Sequence, residues 1–260
     1  MNLRKILKRL SYPYYDLTLP LNGPGDYRYE CAMKRSVFKQ TRGCVAGGTF
    51  KGMKYGDEAL GSAWFPKLLG IYEHEIEPWI TSSLGATYKT IINVGSAEGY
   101  YAVGFARSVP DGRVFAFDID VDCQVATRAL GRMNGIEGNL EVGGLCDPVL
   151  LNSLIGPRTL VICDIEGGEL DLLDPALAPN LSSCDLIVEV HDGEVLGGRI
   201  EAALIERFKA THRLEFKMAR VHSYDPSVGG VEVPCKWRDH VAREWRELGI
   251  RWIRMTAKGD

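Results

Sequence analysis

Two turns late in the chain carry side chains of the types that move protons in enzymes. Each turn follows an apolar run, and the first also contains two glycines. The residues concerned are Asp164, Glu166, Glu169, Glu189, His191 and Asp192. If the two runs are strands of one parallel sheet, both turns open on the same edge, so we expect these groups to converge. Glu169 is predicted in the first turn of a helix, where a carboxylate stabilises the helix dipole.

Such a convergence suits transfer of a group to a hydroxyl, which must lose its proton to a base or a metal ion. Our hypothesis makes His191 or Glu166 the base. It assigns Asp164 and Glu189 to orienting the cofactor or the acceptor. For His191 the alternative is a strand-end histidine with a purely structural hydrogen bond. The oxygen-rich set would also suit Mg²⁺ or Mn²⁺, but acidic strand ends are common without a metal, so a metal is not favoured.

A glycine loop lies upstream, between an apolar run and a helical pattern. Ile91–Val94 leads into Gly-Ser-Ala-Glu-Gly at Gly95–Gly99, and glycines permit a tight turn whose backbone approaches a ligand closely. In a doubly wound sheet the first such turn lies at the carboxyl edge, where ligands bind. The position predicts a nucleotide-like ligand.

The motifs that the loop lacks narrow the choice of ligand. It has neither the G-x-G-x-x-G of a dinucleotide site nor the Lys and Ser/Thr of a P-loop. Glu98 would repel a phosphate, whereas S-adenosylmethionine has none and carries a sulfonium and an ammonium. Asp118 ends the next apolar run, roughly 20 residues beyond Gly95, which is the spacing of an acid that binds ribose hydroxyls. The alternative for Asp118 is a helix cap.

The loop after a third apolar run, Leu140–Val142, would meet the adenine in such a sheet, which makes Leu145 and Cys146 expected neighbours of the base. The predicted cofactor-binding residues are Asn93, Gly95, Ser96, Glu98, Gly99, Asp118, Ile119, Cys146 and Asp164.

Seven apolar runs alternate with helical patterns from residue 86 onward. The runs are Thr90–Val94, Val114–Phe117, Leu140–Val142, Leu160–Cys163, Leu186–Val190, Leu214–Met218 and Arg251–Met255. The helical patterns are Gly99–Ser108, Asp122–Met133, Glu169–Leu173 and Arg199–Lys209. This alternation predicts an α/β fold with a mainly parallel sheet covered on both faces.

The chain resembles the FkbM family of methyltransferases over roughly residues 88–192. The likeness runs from the glycine loop and Ala-Phe-Asp, which ends at Asp118, to Val-Glu-Val-His, which ends at His191. Its most specific piece is Asp-Ile-Glu-Gly-Gly-Glu from Asp164, and Leu69–Glu73 also looks like a segment of some members. The resemblance implies a class I methyltransferase (Rossmann-like) fold with seven strands, the last antiparallel. It also implies S-adenosylmethionine as cofactor and O-methylation of a sugar, glycan or natural-product hydroxyl.

Three positions depart from the family pattern. The family commonly has Asp at Asn93, Glu-Pro at Asp118–Ile119 and Lys at Ile162. Asp118 still reaches a ribose with one methylene less, whereas the missing lysine puts in doubt any electrostatic role carried over to that strand. The alternative functions are a methyltransferase acting on a lipid hydroxyl and a catalytically silent, cofactor-binding scaffold.

Residues 1–85 are interpreted as a loop-rich segment with helices that forms a lid or substrate-side cover. Gly, Pro and Tyr dominate 11–60, whereas apolar residues recur at helical spacing over Lys67–Ile80. Residues 86–260 are interpreted as the Rossmann-like domain, with an insertion near 221–249 that includes an amphipathic helix from Lys236 to Gly249. The insertion is either a surface excursion or part of the substrate pocket.

Composition limits the partners and the compartment. The net charge is −3, which predicts no nucleic-acid partner. The seven cysteines lack C-x-x-C spacing and are interpreted as free thiols in the cytoplasm. No apolar run approaches the ~20 residues of a membrane span. Residues 1–10 form an amphipathic helical pattern, which we expect to pack on its own domain, with weak contact to an anionic membrane surface as the alternative.

Overall fold

The computed structural model describes residues 27–136, 138–192, 198–244 and 250–259. The amphipathic pattern predicted over residues 1–10 therefore lies outside the described residues, as do residues 245–249 of the predicted late helix. Among the described residues no helix is long and apolar enough to cross a membrane.

All seven predicted runs form strands of one sheet, each within two residues of its predicted bounds. The strands are β1 (Thr90–Val94), β2 (Arg113–Phe117), β3 (Leu140–Gly143), β4 (Thr159–Cys163), β5 (Asp185–Val190), β6 (His212–Met218) and β7 (Arg251–Ala257). Their order across the sheet is β3-β2-β1-β4-β5-β7-β6, and β7 runs antiparallel to both of its neighbours. The predicted mainly parallel seven-stranded sheet is confirmed.

The strand order reverses between β1 and β4, and this reversal places the glycine loop. Val94 pairs with Phe117 of β2 on one side and with Cys163 of β4 on the other, so these three strands end level. The connection after β1 leads to β2 on one side of the sheet, and the connection after β4 leads to β5 on the other side. The two connections diverge, which opens a crevice at the carboxyl edge.

The central strands are buried on both faces because their apolar side chains alternate between two cores. Ile91 and Ile162 lie in one core, which also contains Phe50 and Trp79 from the N-terminal segment. Ile92 and its neighbours on the adjacent strands lie in the second core. The N-terminal segment is thus packed on one face of the sheet, above the side chain of Asn93.

The helices follow the strands at the predicted places, with additions. They are α1 (Tyr27–Thr41), α2 (Trp64–Leu69), α3 (Glu77–Gly85), α4 (Tyr100–Ser108), α5 (Val121–Met133), α6 (Pro148–Leu154), α7 (Glu169–Leu172), α8 (Arg199–Phe208), α9 (Pro226–Gly229) and α10 (Arg238–Val241). Short 3₁₀ turns span Pro179–Ser183 and Cys235–Trp237. Asp120 caps α5, and Asp147 caps α6 with Pro148 in its first turn, which is where proline fits a helix.

Outside the part of the chain where strands and helices alternate, two predicted helices differ from the structure. The predicted helix over Lys67–Ile80 is wrong, because α2 ends at Gly70 in the left-handed conformation (φ 77°) and α3 starts only at Glu77. A Cβ at Gly70 would lie 2.0 Å from the carbonyl oxygen of Gly47, so this position requires glycine. Conversely, the 15-residue α1 lies in a segment interpreted as loop-rich.

The predicted amphipathic helix from Lys236 to Gly249 is also wrong over its described part. A 3₁₀ turn there is followed by the four-residue α10, and residues 243–244 are not helical. The apolar spacing that suggested one helix comes from Trp237 and Val241, which both pack into the core that holds the N-terminal segment.

Candidate active site

The glycine loop, Gly95–Gly99, is packed tightly between the ends of β2 and β4. Backbone N–H groups of Gly95 and Ser96 both donate to the carbonyl of Phe117, at 2.9 and 3.0 Å. Gly95 has φ 79°, and a Cβ there would lie 1.6 Å from the carbonyl oxygen of Asp164. Gly99 has φ 94°, and a Cβ there would meet Thr127. Both glycines are therefore required by the geometry.

Two buried polar atoms beside this loop have no hydrogen-bond partner among the described residues. They are Asn93 Oδ1 and Ser96 Oγ, on residues that are 2% and 5% exposed. Buried polar atoms are normally hydrogen-bonded, because leaving one unmet costs about 1–3 kcal/mol. Both residues were predicted to bind cofactor, and a polar ligand in the crevice would supply the missing partners.

Asp118 directly follows β2 and is half-buried at the mouth of the crevice. Its Oδ2 accepts from the N–H of Ala97 in the glycine loop at 2.9 Å, and its Oδ1 accepts from the N–H of Asp120 at 2.8 Å. The N-cap of α5 is Asp120, so Asp118 is not a helix cap. Each oxygen of a carboxylate keeps a further lone pair for a hydroxyl donor.

Apolar side chains lie exposed at the same edge of the sheet, after β2 and β3. Ile119 is 74% exposed and Leu145 is 71% exposed, which is unusual for large aliphatic residues. Cys146 is buried instead, and burial raises the pKa of its thiol to about 12. The thiol therefore stays neutral, and a role beside a ligand would be one of packing.

Glu98, the acid of the glycine loop, is bonded to the N-terminal segment. Its Oε1 lies 2.5 Å from Lys67 Nζ and also accepts from the hydroxyl of Tyr55, while Oε2 accepts from the N–H of Leu60 at 3.0 Å. Glu98 and Lys67 are only 4% and 3% exposed. Burial by itself would raise the pKa of Glu98, but Lys67 and the hydrogen bonds lower it below its ordinary value.

These partners of Glu98 were missed by the sequence reasoning. Lys67 sits among apolar residues at helical spacing, and a lysine in such a pattern usually reaches solvent. Here its ammonium also donates to Ser62 Oγ at 2.6 Å and lies 4.6 Å from the ring centre of Tyr72. A lone lysine inside an apolar helical pattern was the available signal.

Asp164, at the end of β4, and Glu189, in β5, come together as predicted. Burial raises the pKa of Glu189 to about 11, with the charge of Asp164 as the next cause, and the protonated Glu189 donates a hydrogen bond to Asp164. Burial also raises the pKa of Asp164, although His191 opposes this shift.

A third acid, Glu73, reaches the same point from the N-terminal segment. Glu73 is 1% exposed, accepts from the hydroxyl of Tyr101 and donates its N–H to Glu244 Oε1 at 2.8 Å. Carboxylate oxygens of Glu73, Asp164 and Glu189 lie within 4.8 Å of one another. Only the resemblance of Leu69–Glu73 to known family members pointed to this residue.

His191 follows β5 and lies amid four carboxylates. Its Nδ1 is 3.0 Å from Glu169 Oε1, and its Nε2 is 3.5 Å from Asp164 Oδ1, 3.7 Å from Glu166 Oε2 and 3.9 Å from Glu189 Oε2. Burial would lower the pKa of His191, but the hydrogen bond to Glu169 and the nearby carboxylates raise it above its ordinary value. The predicted convergence of the two turns is therefore present.

The remaining acids of the two turns, Glu166 and Asp192, differ in exposure and in hydrogen-bond partners. Glu166 has a left-handed backbone (φ 56°), and its side chain is 85% exposed, so water competes for its carboxylate. Asp192 accepts from the N–H groups of Ile200 and Glu201 at 2.7 and 2.8 Å, at the start of α8. Asp192 therefore stabilises a helix start.

Two overlapping sets of side chains could hold a metal ion. The first is Asp164, Glu166 and His191, and the second is Glu73, Asp164 and Glu189, with ligand atoms within 4.8 Å of one another in each. The carboxylate oxygens of both sets suit Mg²⁺ or Mn²⁺.

Solved structures of known proteins share the fold over nearly the whole chain. Cofactor-bound Rv0187 from MTB has a TM-score of 0.51 at 11% identity and covers 100% of this chain and 99% of its own. The O-methyltransferase TomG from Streptomyces achromogenes, involved in tomaymycin synthesis and solved with SAM, has a TM-score of 0.50 at 10% identity and covers 99% and 97%. Human methyltransferase 10 domain containing protein has 0.50 at 12%, with 89% and 98%.

These likenesses establish the fold. The chain has the class I methyltransferase (Rossmann-like) fold, as predicted. No protein-family model matches the sequence, and no curated protein matches it either. The resemblance to the FkbM family therefore rests on the motifs quoted above.

Proposed function

We propose that this protein is an S-adenosylmethionine-dependent methyltransferase that methylates a hydroxyl of a small molecule or glycan. The observation that carries the proposal is the crevice beside Gly95, where the backbone excludes any Cβ and Asn93 Oδ1 and Ser96 Oγ are buried without partners. Asp118 at its mouth suits a ribose diol. The fold shared with a methyltransferase solved with SAM supports the same assignment.

Different residues of the site bind the cofactor, orient the acceptor and accept the proton. When bound, S-adenosylmethionine supplies an activated methyl group and becomes S-adenosylhomocysteine once the acceptor oxygen has taken it. Asp118 holds the ribose, and the exposed Ile119 and Leu145 cover the adenine. The acidic pocket formed by Asp164 and Glu189 lies beside the crevice and orients the acceptor. Alignment of acceptor and donor is the main contribution that a protein makes to such a displacement.

His191 takes up the proton that the hydroxyl loses. Among the described residues its Nε2 has no hydrogen-bond partner closer than the carboxylate oxygen of Asp164, at 3.5 Å. A base with a raised pKa accepts a proton more readily once it is deprotonated itself. Glu166 is the other candidate base, and its 85% exposed side chain makes it the weaker one.

Cofactor binding is tested by calorimetry with S-adenosylmethionine and S-adenosylhomocysteine. We expect both to bind wild type, and Asp118→Ala to weaken binding by about 10- to 100-fold, since a hydrogen bond to a charged group contributes about 1.5–3 kcal/mol. The control is Asp111→Ala, which removes an exposed aspartate at the opposite end of β2 and should leave affinity unchanged. Absence of binding to either compound would refute the proposal.

Transfer is tested with a methyl-labelled cofactor and a panel of sugars, glycans, natural-product hydroxyls and lipid hydroxyls. In a single-turnover assay with the acceptor found, His191→Gln should slow transfer at least 10-fold. An unchanged rate would remove His191 from the mechanism. Cofactor binding without transfer to any hydroxyl would favour the silent, scaffolding relative.

A divalent cation is the second candidate means of activating the hydroxyl. Asp164, Glu166 and His191 would hold Mg²⁺ or Mn²⁺, which would polarise the acceptor oxygen. Manganese binding followed by electron paramagnetic resonance reads out this site without turnover. Activity that survives exhaustive chelation would exclude it.

We also propose that the protein works in the cytoplasm. All seven cysteines are free thiols, and six of them are buried or half-buried. Free thiols are typical of reducing compartments.

A further inference from the structure

Glu169 is the most deeply buried acid of the two catalytic turns. It opens the short helix α7, directly after the glycines that follow Glu166, and its exposure is 0%. Glu166, three residues earlier, has a side chain that is 85% exposed. A carboxylate removed from water needs hydrogen-bond donors, so its few partners determine what it does.

The donors to Glu169 come from the catalytic turns themselves. Oε1 lies 3.0 Å from His191 Nδ1 and 3.3 Å from the backbone N–H of Gly167. Oε2 has no hydrogen-bond partner among the described residues. A carboxylate at Glu169 only accepts hydrogen bonds, and opposite such a group the proton of a neutral His191 lies on Nδ1.

The opposite nitrogen of His191 faces a different set of groups. Nε2 lies 3.5–3.9 Å from one oxygen each of Asp164, Glu166 and Glu189, which is longer than an ordinary hydrogen bond. Together with Glu169 these are the titratable groups that face the ring from β4, β5, α7 and the turn between them. The nitrogen a histidine protonates is set by the hydrogen bond its other nitrogen makes.

We propose that Glu169 is a positioning residue: it holds His191 as the Nδ1–H tautomer and so presents the Nε2 lone pair to the acceptor hydroxyl. The inference rests on the proposed function, in which Nε2 of His191 accepts the hydroxyl proton. After transfer, the same carboxylate stabilises the doubly protonated ring. Nothing in the sequence distinguishes this role from that of a helix-start acid.

Nuclear magnetic resonance of ring nitrogens tests the tautomer directly on the full chain. The five histidines are labelled with ¹⁵N, and the signals of His191 are assigned by their loss in His191→Gln. At a pH above its titration, His191 in wild type should show a protonated Nδ1 and an unprotonated Nε2. A wild-type spectrum with the proton on Nε2 overturns the proposal, whatever the variants of Glu169 show.

The decisive variant is Glu169→Leu, which has a similar size and removes both acceptor oxygens from Nδ1. We expect the proton of neutral His191 to move to Nε2, where the other carboxylates lie. Glu166→Leu is the matched control, because it removes a carboxylate that lies 3.7 Å from the ring on the Nε2 side. It should leave the proton of neutral His191 on Nδ1, as in wild type. A tautomer that is the same in Glu169→Leu and wild type overturns the proposal.

Kinetics adds a second readout once an acceptor is known. Because Nε2 accepts a proton only in the neutral ring, the rate of wild type should rise with pH through the titration of His191. Glu169→Leu should lower kcat by on the order of 100-fold or more, as for other carboxylate-oriented histidines. The KM for S-adenosylmethionine should stay within about 2-fold, and calorimetric titration with S-adenosylhomocysteine should show as many binding sites as in wild type, which a partly misfolded variant would not.

The two levels of the proposal fail in different ways. If the chain does not bind S-adenosylmethionine or transfer a methyl group, the proposed function fails while the tautomer measurement still stands. If transfer occurs but His191 carries its proton on Nε2, the proposed function stands and the role of Glu169 fails.

Discussion

Glu98 and Asp118 are the two acids of the glycine loop and its neighbouring strand end, and their surroundings separate their roles. Asp118 is half-buried and keeps lone pairs toward the open crevice, whereas both oxygens of Glu98 are bonded to Tyr55, Leu60 and Lys67. The sequence predicts both as cofactor-binding residues, because spacing along the chain contains no information about which side of a loop a carboxylate occupies. That depends on partners at least 30 residues upstream.

Gly95 gives the sharpest prediction at this scale. Gly95→Ala should lower the free energy of unfolding by about 3 kcal/mol, because the new methyl group would lie 1.6 Å from a carbonyl oxygen at a φ of 79°. It should also abolish S-adenosylhomocysteine binding. Urea denaturation and calorimetry measure the two effects.

The matched control is Gly135→Ala. Gly135 has a similar φ of 71°, but no atom lies within 4 Å of its added Cβ. This variant should lose only the backbone term, about 1 kcal/mol, and bind as wild type does. Equal losses in the two variants would contradict the steric account.

At the scale of elements, sequence patterns succeed where one periodicity persists and fail where the chain turns. The seven strands and the four helices predicted between them lie within two residues of their predicted bounds, because period-2 and period-3.6 patterns persist there and glycines mark the turns, whereas α6 was not predicted. The predicted helix over Lys67–Ile80 is wrong because Gly70 and Pro78 interrupt a spacing that looks continuous when only apolar residues are counted. The same holds for the site: the acids at the ends of strands, such as Asp164 and Glu189, are predictable from the sequence, whereas Glu73 is not.

The contact between α2 and the glycine loop is a buried ion pair, and this gives a prediction. Lys67→Met should lower the free energy of unfolding by about 3–5 kcal/mol, because it leaves the buried Glu98 without its counter-ion. Adding Glu98→Gln to this variant should restore most of the loss, since the uncompensated charge is then gone. Denaturant titration of the single and double variants measures both.

An exposed pair serves as control. Lys209→Met breaks a 2.6 Å ion pair with Glu206, whose members have side chains 56% and 72% exposed. Its effect should be about 0–1 kcal/mol. A double variant no more stable than Lys67→Met would argue against the ion pair as the cause.

At the scale of the whole molecule, histidines removed from water make one contribution to stability that depends on pH. His212, at the start of β6, is 2% exposed and bonds through Nε2 to the carbonyl of Cys184, which precedes β5. Burial lowers the pKa of His212 below its ordinary value, and the same cause acts on His222 and His240. Each of these three histidines therefore binds fewer protons in the folded chain than in the unfolded chain in mildly acidic solution.

The sign of the pH dependence follows from linkage. Since the folded pKa of His212 lies below the unfolded one, its contribution to stability is complete above about 6.5 and is lost as pH falls toward the folded value. We expect the free energy of unfolding of wild type, measured relative to that of His212→Gln, to decrease between pH 7 and 5, whatever the stability of that variant at pH 7. Groups with a raised pKa, such as Glu189, are the same in both proteins and cancel in this difference. Parallel curves from urea denaturation would refute this source of acid sensitivity.

The N-terminal segment is joined to the glycine loop and to the end of α5 by contacts whose two partners would have to be replaced together. Besides the pair of Lys67 and Glu98, backbone groups of Lys54 make two hydrogen bonds, of 2.8 and 2.9 Å, to the side chain of Asn134. A chimera that takes residues 44–72 from another protein must therefore replace Glu98 and Asn134 as well. A fragment beginning at residue 86 would expose the core beneath α4 and leave Glu98 buried without its cation. The unit that evolution or an engineer can recombine thus begins well before the first strand.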